Sequence, residues 1–137
     1  MTSKKCRCCH QEKDYTEFYD SGKKTIEGVY IKDTLCKTCK KKYKRDRVRG
    51  IRDFIRDYKK DLKCSSCGYS KETHENFTPR ALEFHHTSND KDFTIGNAAS
   101  KGLSIKVIKK EINKCIVLCS RCHAELHSNE EEKTLRR

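Results

Sequence analysis

Cys115-Ile116-Val117-Leu118-Cys119-Ser120-Arg121-Cys122-His123-Ala124-Glu125-Leu126-His127 is the stretch on which the rest of the chain depends. Its apolar start, Ile116 to Leu118, suits a buried strand. It passes into Cys119-x2-Cys122 and at once into His123-x3-His127. Two cysteines at that spacing can chelate one Zn²⁺ from a tight turn. Two histidines four apart on a helix point the same way, because a turn takes 3.6 residues. One short segment thus offers half of a thiolate zinc site and two imidazoles on one face, and the remaining chain is read for their partners.

The 137 residues are 34% hydrophobic and 38% charged, which allows one ordinary domain or two small ones without a large core. Small cores need staples, and eight of the ten cysteines fall in four C-x2-C pairs. The start, Met1-Thr2-Ser3-Lys4-Lys5-Cys6, has no apolar stretch of signal-peptide type, and no run reaches the length of a membrane span. The expectation is a cytoplasmic protein with no membrane partner, whose cysteines are metal ligands rather than disulfides. The net charge of +12 points to a polyanion, since neutralising phosphates releases counterions.

Cys6-x2-Cys9 and Cys36-x2-Cys39 are two knuckles around a short insert, the pattern of a four-cysteine zinc ribbon over residues 1–43. Cys8 leaves Cys6-x-Cys8 or Cys9-His10 open as chelators; Cys6 and Cys9 are preferred because their spacer recurs in all four pairs. Turns are expected at Asp20-Ser21-Gly22 and Glu27-Gly28, with a strand at Val29, Tyr30 and Ile31.

Residues 44–62 read as a basic helical connector. Val48, Ile51, Ile55, Tyr58 and Leu62 make an apolar seam that packs on the C-terminal domain or on a second copy. Arg45, Arg49, Arg52, Arg56, Lys59 and Lys63 form a stripe about 100° round the helix, suited to tracking a phosphate backbone, and the aspartates form a third face. Residues 37–63 carry nine of the twelve net positive charges.

Cys64-x2-Cys67-Gly68 pairs with Cys119 and Cys122 as a second four-cysteine zinc site. Between them, Leu82-Glu83-Phe84-His85-His86 alternates like a strand and ends in adjacent histidines. Beside the helical pair His123 and His127 they are not explained by packing. From Ser104, a candidate N-cap, a helix carries Ile105, Ile108 and Ile112 on one face, covering the site. A charged tail, residues 130–137, is expected to fray.

The order Cys64-x2-Cys67, Leu82-Glu83-Phe84-His85-His86, Lys91-Asp92-Phe93-x-Ile95, Glu111-Ile112-x-Lys114-Cys115, Cys119-x2-Cys122-His123-x3-His127 resembles the HNH endonuclease family, over about half the chain. The front segment resembles a zinc ribbon of small phage nucleases. The resemblance implies a small α+β, zinc-stapled fold whose residues 63–129 form a ββα-metal finger: two antiparallel strands and a helix that clasp one divalent ion. It implies that His86 is the general base, with His85, His123 and His127 as ligands of the catalytic metal. The family's middle asparagine falls at Lys114 here; Asn113, one residue earlier, is the candidate that holds the loop carrying the base, with Asn89 within the loop as the alternative. Three imidazoles with no nearby carboxylate favour Mn²⁺, Zn²⁺, Ni²⁺ or Co²⁺, with Mg²⁺ workable through the substrate phosphate.

The expected function is metal-dependent hydrolysis of DNA phosphodiester bonds, by nicking or double-strand cleavage, using two structural zincs and one catalytic ion. Double-stranded DNA is the partner; the resemblance leaves open a homodimer and a phage-encoded protein acting in the host cell. The alternative is a non-catalytic, zinc-stabilised nucleic-acid-binding protein.

Overall fold

A computed structural model describes residues 2–135, so the end of the expected tail, 136–137, lies outside the described residues. The fold is small and mixed α+β, with three two-stranded antiparallel sheets and three α-helices among the described residues. It divides into two compact units, Met1–Arg47 and Val48–Arg137.

The first unit opens with β1 (Ser3–Lys5) and β2 (Glu12–Asp14), antiparallel about the Cys6–Cys9 knuckle. The knuckle closes where His10 N–H donates to Cys6 O at 2.9 Å, and His10 sits at φ +58, a left-handed conformation that favours glycine. Asp14 caps a single 3-10 turn, Tyr15–Glu17, that leads into the hairpin of β3 (Phe18–Lys24) and β4 (Tyr30–Cys36). The turn expected at Asp20-Ser21-Gly22 is instead an irregularity within β3: the register shifts after Phe18 and again after Asp20, and Gly22 takes φ +80. A bulge and a turn ask for the same residues. The chain reverses at Thr25–Val29, where Gly28 takes φ +81. Phe18 is buried between Cys6 and Cys36 and forms the core of this unit with them.

Helix α1 (Lys37–Lys59) starts before, and ends before, the expected connector of 44–62. The chain enters it directly from Cys36, which puts Cys39 in the first turn. Its residues 37–47 belong to the first unit and 48–59 to the second.

In the second unit, Val48, Ile51, Phe54 and Ile55 pack with Ile95, Ala98 and Ala99 and with Ile108 and Ile112 of α2 (Ile105–Ile112). The apolar seam therefore packs on the C-terminal domain. Tyr58 continues it, its ring 5.9 Å from Phe54 and 6.4 Å from Phe84. The expected cap of α2 is present: Ser104 Oγ accepts from Val107 N–H at 3.3 Å. Strands β5 (Leu82–His86) and β6 (Cys115–Cys119) pair without a slip, from Leu82↔Cys119 to His86↔Cys115. Helix α3 (Ser120–Leu135) follows β6 with no intervening residue and lies against both strands. It continues through residues 130–135, so that part of the expected frayed tail is helical. Leu82, Leu118, Cys64, Cys119 and Cys122 form the second core of this unit. Among the described residues no helix is long and apolar enough to cross a membrane.

Candidate active site

The cysteines assemble as the spacing predicts. The sulfurs of Cys6, Cys9, Cys36 and Cys39 lie within 4.8 Å of one another, as do those of Cys64, Cys67, Cys119 and Cys122. Cys67 Sγ and Cys119 Sγ are 3.6 Å apart. A zinc tetrahedron with Zn–S bonds of ~2.3 Å would have edges of about 3.8 Å. None of the ten cysteines is in a disulfide, and the exposed Cys8 is outside both groups. The amide hydrogens of Cys36 and Cys9 pull the Cys6 thiol down to about 6. Burial pushes Cys64 up, but the amides of Cys67, Cys119 and Ser66 outweigh it and bring it to about 6 as well. At Cys6 and Cys64 these donors favour thiolate, the form that binds metal, while burial pushes Cys119 up to about 11 and the neighbouring Cys36 thiol raises Cys39. The eight cysteines could hold two metal ions, and zinc fits the donor set.

The histidines make a third cluster. His123 Nε2 lies 3.1 Å from His85 Nδ1 and 3.1 Å from His127 Nε2. Ligands on one ion at ~2.1 Å would stand about 3.0 Å apart at right angles and about 3.4 Å apart on a tetrahedron. Strand β5 supplies His85, and α3 supplies the other two from successive turns. Burial, and then the neighbouring His123 and His127, hold His85 below its ordinary pKa, favouring neutral imidazole.

The expectation of no nearby carboxylate is corrected here. Glu83 Oε2 accepts from His123 Nδ1–H, while Ser120 Oγ donates to Glu83 Oε1 at 3.3 Å. A carboxylate on Nδ1 fixes the tautomer and turns the Nε2 lone pair toward the cluster. The sequence carried a signal for this: Glu83 and His85 are two apart on a strand and share a face.

His86, although its backbone pairs in β5 next to His85, is held by a different group. Its Nε2–H donates to Glu111 Oε1 at 2.7 Å. Glu111, at the end of α2, is only 1% exposed and also accepts from Asp92 N–H at 2.9 Å and Phe93 N–H at 3.4 Å. Lys114 Nζ reaches Glu111 Oε2 at 3.0 Å, Asp92 Oδ2 at 2.8 Å and Asp90 O at 2.7 Å. Burial pushes the Glu111 carboxyl up, but Lys114, His86 and the two amides outweigh it and hold it down at about 2. Asp92 and Glu111 in turn raise Lys114 above its ordinary value. Glu111 and Lys114 thus tie loop 90–93 to the site. Asn113, expected in that role, sits exposed at the C-cap of α2, and among the described residues its side chain makes no hydrogen bond. Glu111 lies 25 residues from His86, and no local periodicity links them.

His85, His86, His123 and His127 line one cavity of about 520 Å³, together with Lys59 and Lys91. A second depression of about 290 Å³ shares Ile55, Lys59 and Gly96 with it and is lined by Arg52, Arg56 and Arg80. Arg80 has no signal in the sequence because it lies in a 3-10 turn, Pro79–Ala81, outside any repeat. Of the expected stripe, Arg45, Arg49, Arg52 and Lys63 are exposed. Arg56 is bound to Asp53 at 3.0 Å and Asp57 at 3.5 Å, so the acidic and basic faces meet there. Lys59 is turned inward: its Nζ donates to Leu82 O at 2.6 Å and lies 5.2 Å from the centre of the Phe84 ring. Comparison with known proteins returned no match, whether to a family model, a curated protein or a solved structure.

Proposed function

We propose that the chain is a metal-dependent endonuclease of the HNH kind that hydrolyses DNA phosphodiester bonds. The observation that carries this reading is a single cavity lined both by three converging imidazoles and by a fourth, His86, anchored to a buried carboxylate. His85, His123 and His127 would hold a divalent ion, which supplies charge stabilisation at the phosphate and leaving oxygen when bound. In the neutral imidazole of His86 the proton belongs on Nε2, where the ionised Glu111 carboxylate accepts it. That leaves Nδ1 with a free lone pair, the group needed to take a proton from the attacking water. Glu83 sets the tautomer of His123, and Glu111 with Lys114 fixes the loop at the edge of the cavity. The reading is supported by the strand–strand–helix order of β5, β6 and α3, which carries Glu83 and the four histidines and is the order of a ββα-metal finger. Arg52 and Arg80 offer positive charge for the phosphates flanking the scissile bond.

The test is supercoiled plasmid incubated with zinc-loaded protein and added Mn²⁺, beside His86→Ala. Loss of the general base is expected to slow cleavage by about 10²–10⁴-fold with DNA binding retained. Equal rates would remove His86 from the chemistry.

A further inference from the structure

Each compact unit, taken alone, is built on the same plan. The first cysteine donates its N–H five residues on, Cys6 to Gln11 O at 2.9 Å and Cys64 to Tyr69 O at 3.0 Å. The residue four past it returns a bond at 2.9 Å, from His10 to Cys6 O and from Gly68 to Cys64 O, and both residues have positive φ. Arg7 N–H donates to Thr34 O at 3.0 Å, and Ser65 N–H to Val117 O at 2.8 Å. Each acceptor is two residues before the third cysteine. A capped 3-10 turn then delivers a fully buried residue, Phe18 or Leu82, as the first of a strand. That residue pairs with the third cysteine, Cys36 or Cys119, and a helix starts at the next position. The units are a structural duplication that, outside the C-x2-C pairs, is not visible in their side chains.

The duplication fixes what stands in the first unit where the second has its histidines. Counted from the fourth cysteine, Lys40 occupies the place of His123 and Lys44 that of His127. Tyr19 follows Phe18 as Glu83 follows Leu82. It keeps the same relation to the helix, with Lys40 Nζ 5.8 Å from its ring centre and Lys37 Nζ 5.5 Å from it. The register shift after Phe18 ends the correspondence, so His85 has no counterpart. A face that collects imidazole nitrogens in one copy carries ammonium groups in the other.

We propose that this face of the first unit, built on Lys37, Lys40 and Lys44, is a docking surface for the phosphate backbone of nucleic acid. Residues 37–45 hold six Lys and Arg and no Asp or Glu. Lys40 and Lys44 are exposed. Asp33 pairs with Lys40 and, with the Tyr19 ring, sets its direction. Regularly spaced cations along a helix match phosphates that repeat along a strand. The duplicated scaffold thus hydrolyses in one copy and holds the same polymer in the other. This rests on the DNA partner proposed above, not on the hydrolysis.

The experiment uses the full zinc-loaded chain and a labelled 20-base-pair duplex of arbitrary sequence, with anisotropy titrations from about 50 to 200 mM NaCl. The variant is Lys37→Gln/Lys40→Gln/Lys44→Gln. The control is Lys101→Gln/Lys106→Gln/Lys110→Gln, which removes the same charge from exposed positions of the other unit. The slope of log K against log salt should fall by about 2 to 3 in the variant, at ~0.9 for each phosphate no longer neutralised. Zinc content should not change. Lys44→Gln alone, at an exposed position, should lower the slope by about 0.9 even if the triple variant loses zinc. A fall no larger than in the control overturns the proposal, and so does a wild type that binds no duplex. Plasmid cleavage scored on the same samples keeps the two readings apart. A reduced slope without cleavage under any metal retains the docking face and removes the nuclease; cleavage with an unchanged slope does the reverse.

Discussion

Replacing Glu111 by Gln is the sharpest perturbation of the site that leaves its ligands in place. The side chain is 2% exposed, so its ionic contacts are little screened by solvent. Its carboxyl sits at about 2 against the ordinary 4.5. A difference of about 2.5, at ~1.4 kcal/mol for each pKa unit, amounts to about 3 kcal/mol of stability at neutral pH. Counting bonds gives the same size. Hydrogen bonds to a charged acceptor contribute ~1.5–3 kcal/mol and neutral ones ~0.5–1.5, so three weakened bonds lose roughly 3 kcal/mol. Glutamine cannot accept at both ends, so its amide meets either Lys114 or the His86 and loop donors. Urea unfolding of the zinc-loaded chain at pH 7 should show a midpoint lower by about 1.5 M, for a slope near 2 kcal/mol/M. Exchange of the Asp92 and Phe93 amides should quicken by about 100-fold, as ~3 kcal/mol implies if they open with the loop. Because the folded pKa is depressed, this stability is present above about pH 4.5 and is lost as pH falls toward 2. The gap between wild type and variant should close over that window, and acid release of zinc, common to both, cancels in the comparison. A loss under about 1 kcal/mol with both amides still protected would refute the network.

Other positions give independent checks. Glu83→Ala frees His123 Nδ1 and should weaken Ni²⁺ binding at the histidines by about 10–100-fold, read by titration with the cysteine sites kept full of zinc. Ile108→Ala empties a fully buried place in the α1–α2 core and should cost about 2–5 kcal/mol in urea unfolding. His10→Gly relieves a left-handed residue and should raise stability by about 1 kcal/mol. Gly68→Ala, at the matching place with φ +78, should lower stability by a similar amount in parallel melts.

The cysteine sets and the four histidines are legible because their spacing is local and their chemistry narrow. A C-x2-C pair needs only a turn, and H-x3-H needs only a helix. The strand carrying His85 and His86 can be read from Leu82 and Phe84. What holds the histidines is less legible. Glu83 lies within reach of a period-two argument, but Glu111 meets His86 only because α2 ends beside β5. Residues that suit a turn, Asp20 to Gly22, serve as a bulge, since both demand relaxed backbone. The connector reads as one element in the sequence, yet the first eleven residues of α1 complete the first four-cysteine unit and the rest fill the core of the second. The duplication is hidden because backbone hydrogen bonds specify it, and Phe18 and Leu82 fill the same place without resembling each other.

The most direct test of the central claim is the dependence of plasmid cleavage on a third metal ion. Protein carrying two zincs and no other metal should bind supercoiled DNA without cutting it, and cutting should begin as about one equivalent of Mn²⁺ or Ni²⁺ fills the three histidines. His123→Ala should bind DNA as before and not respond to the added ion. DNA binding with no cleavage under any divalent metal would contradict the claim and leave a zinc-stabilised nucleic-acid-binding protein.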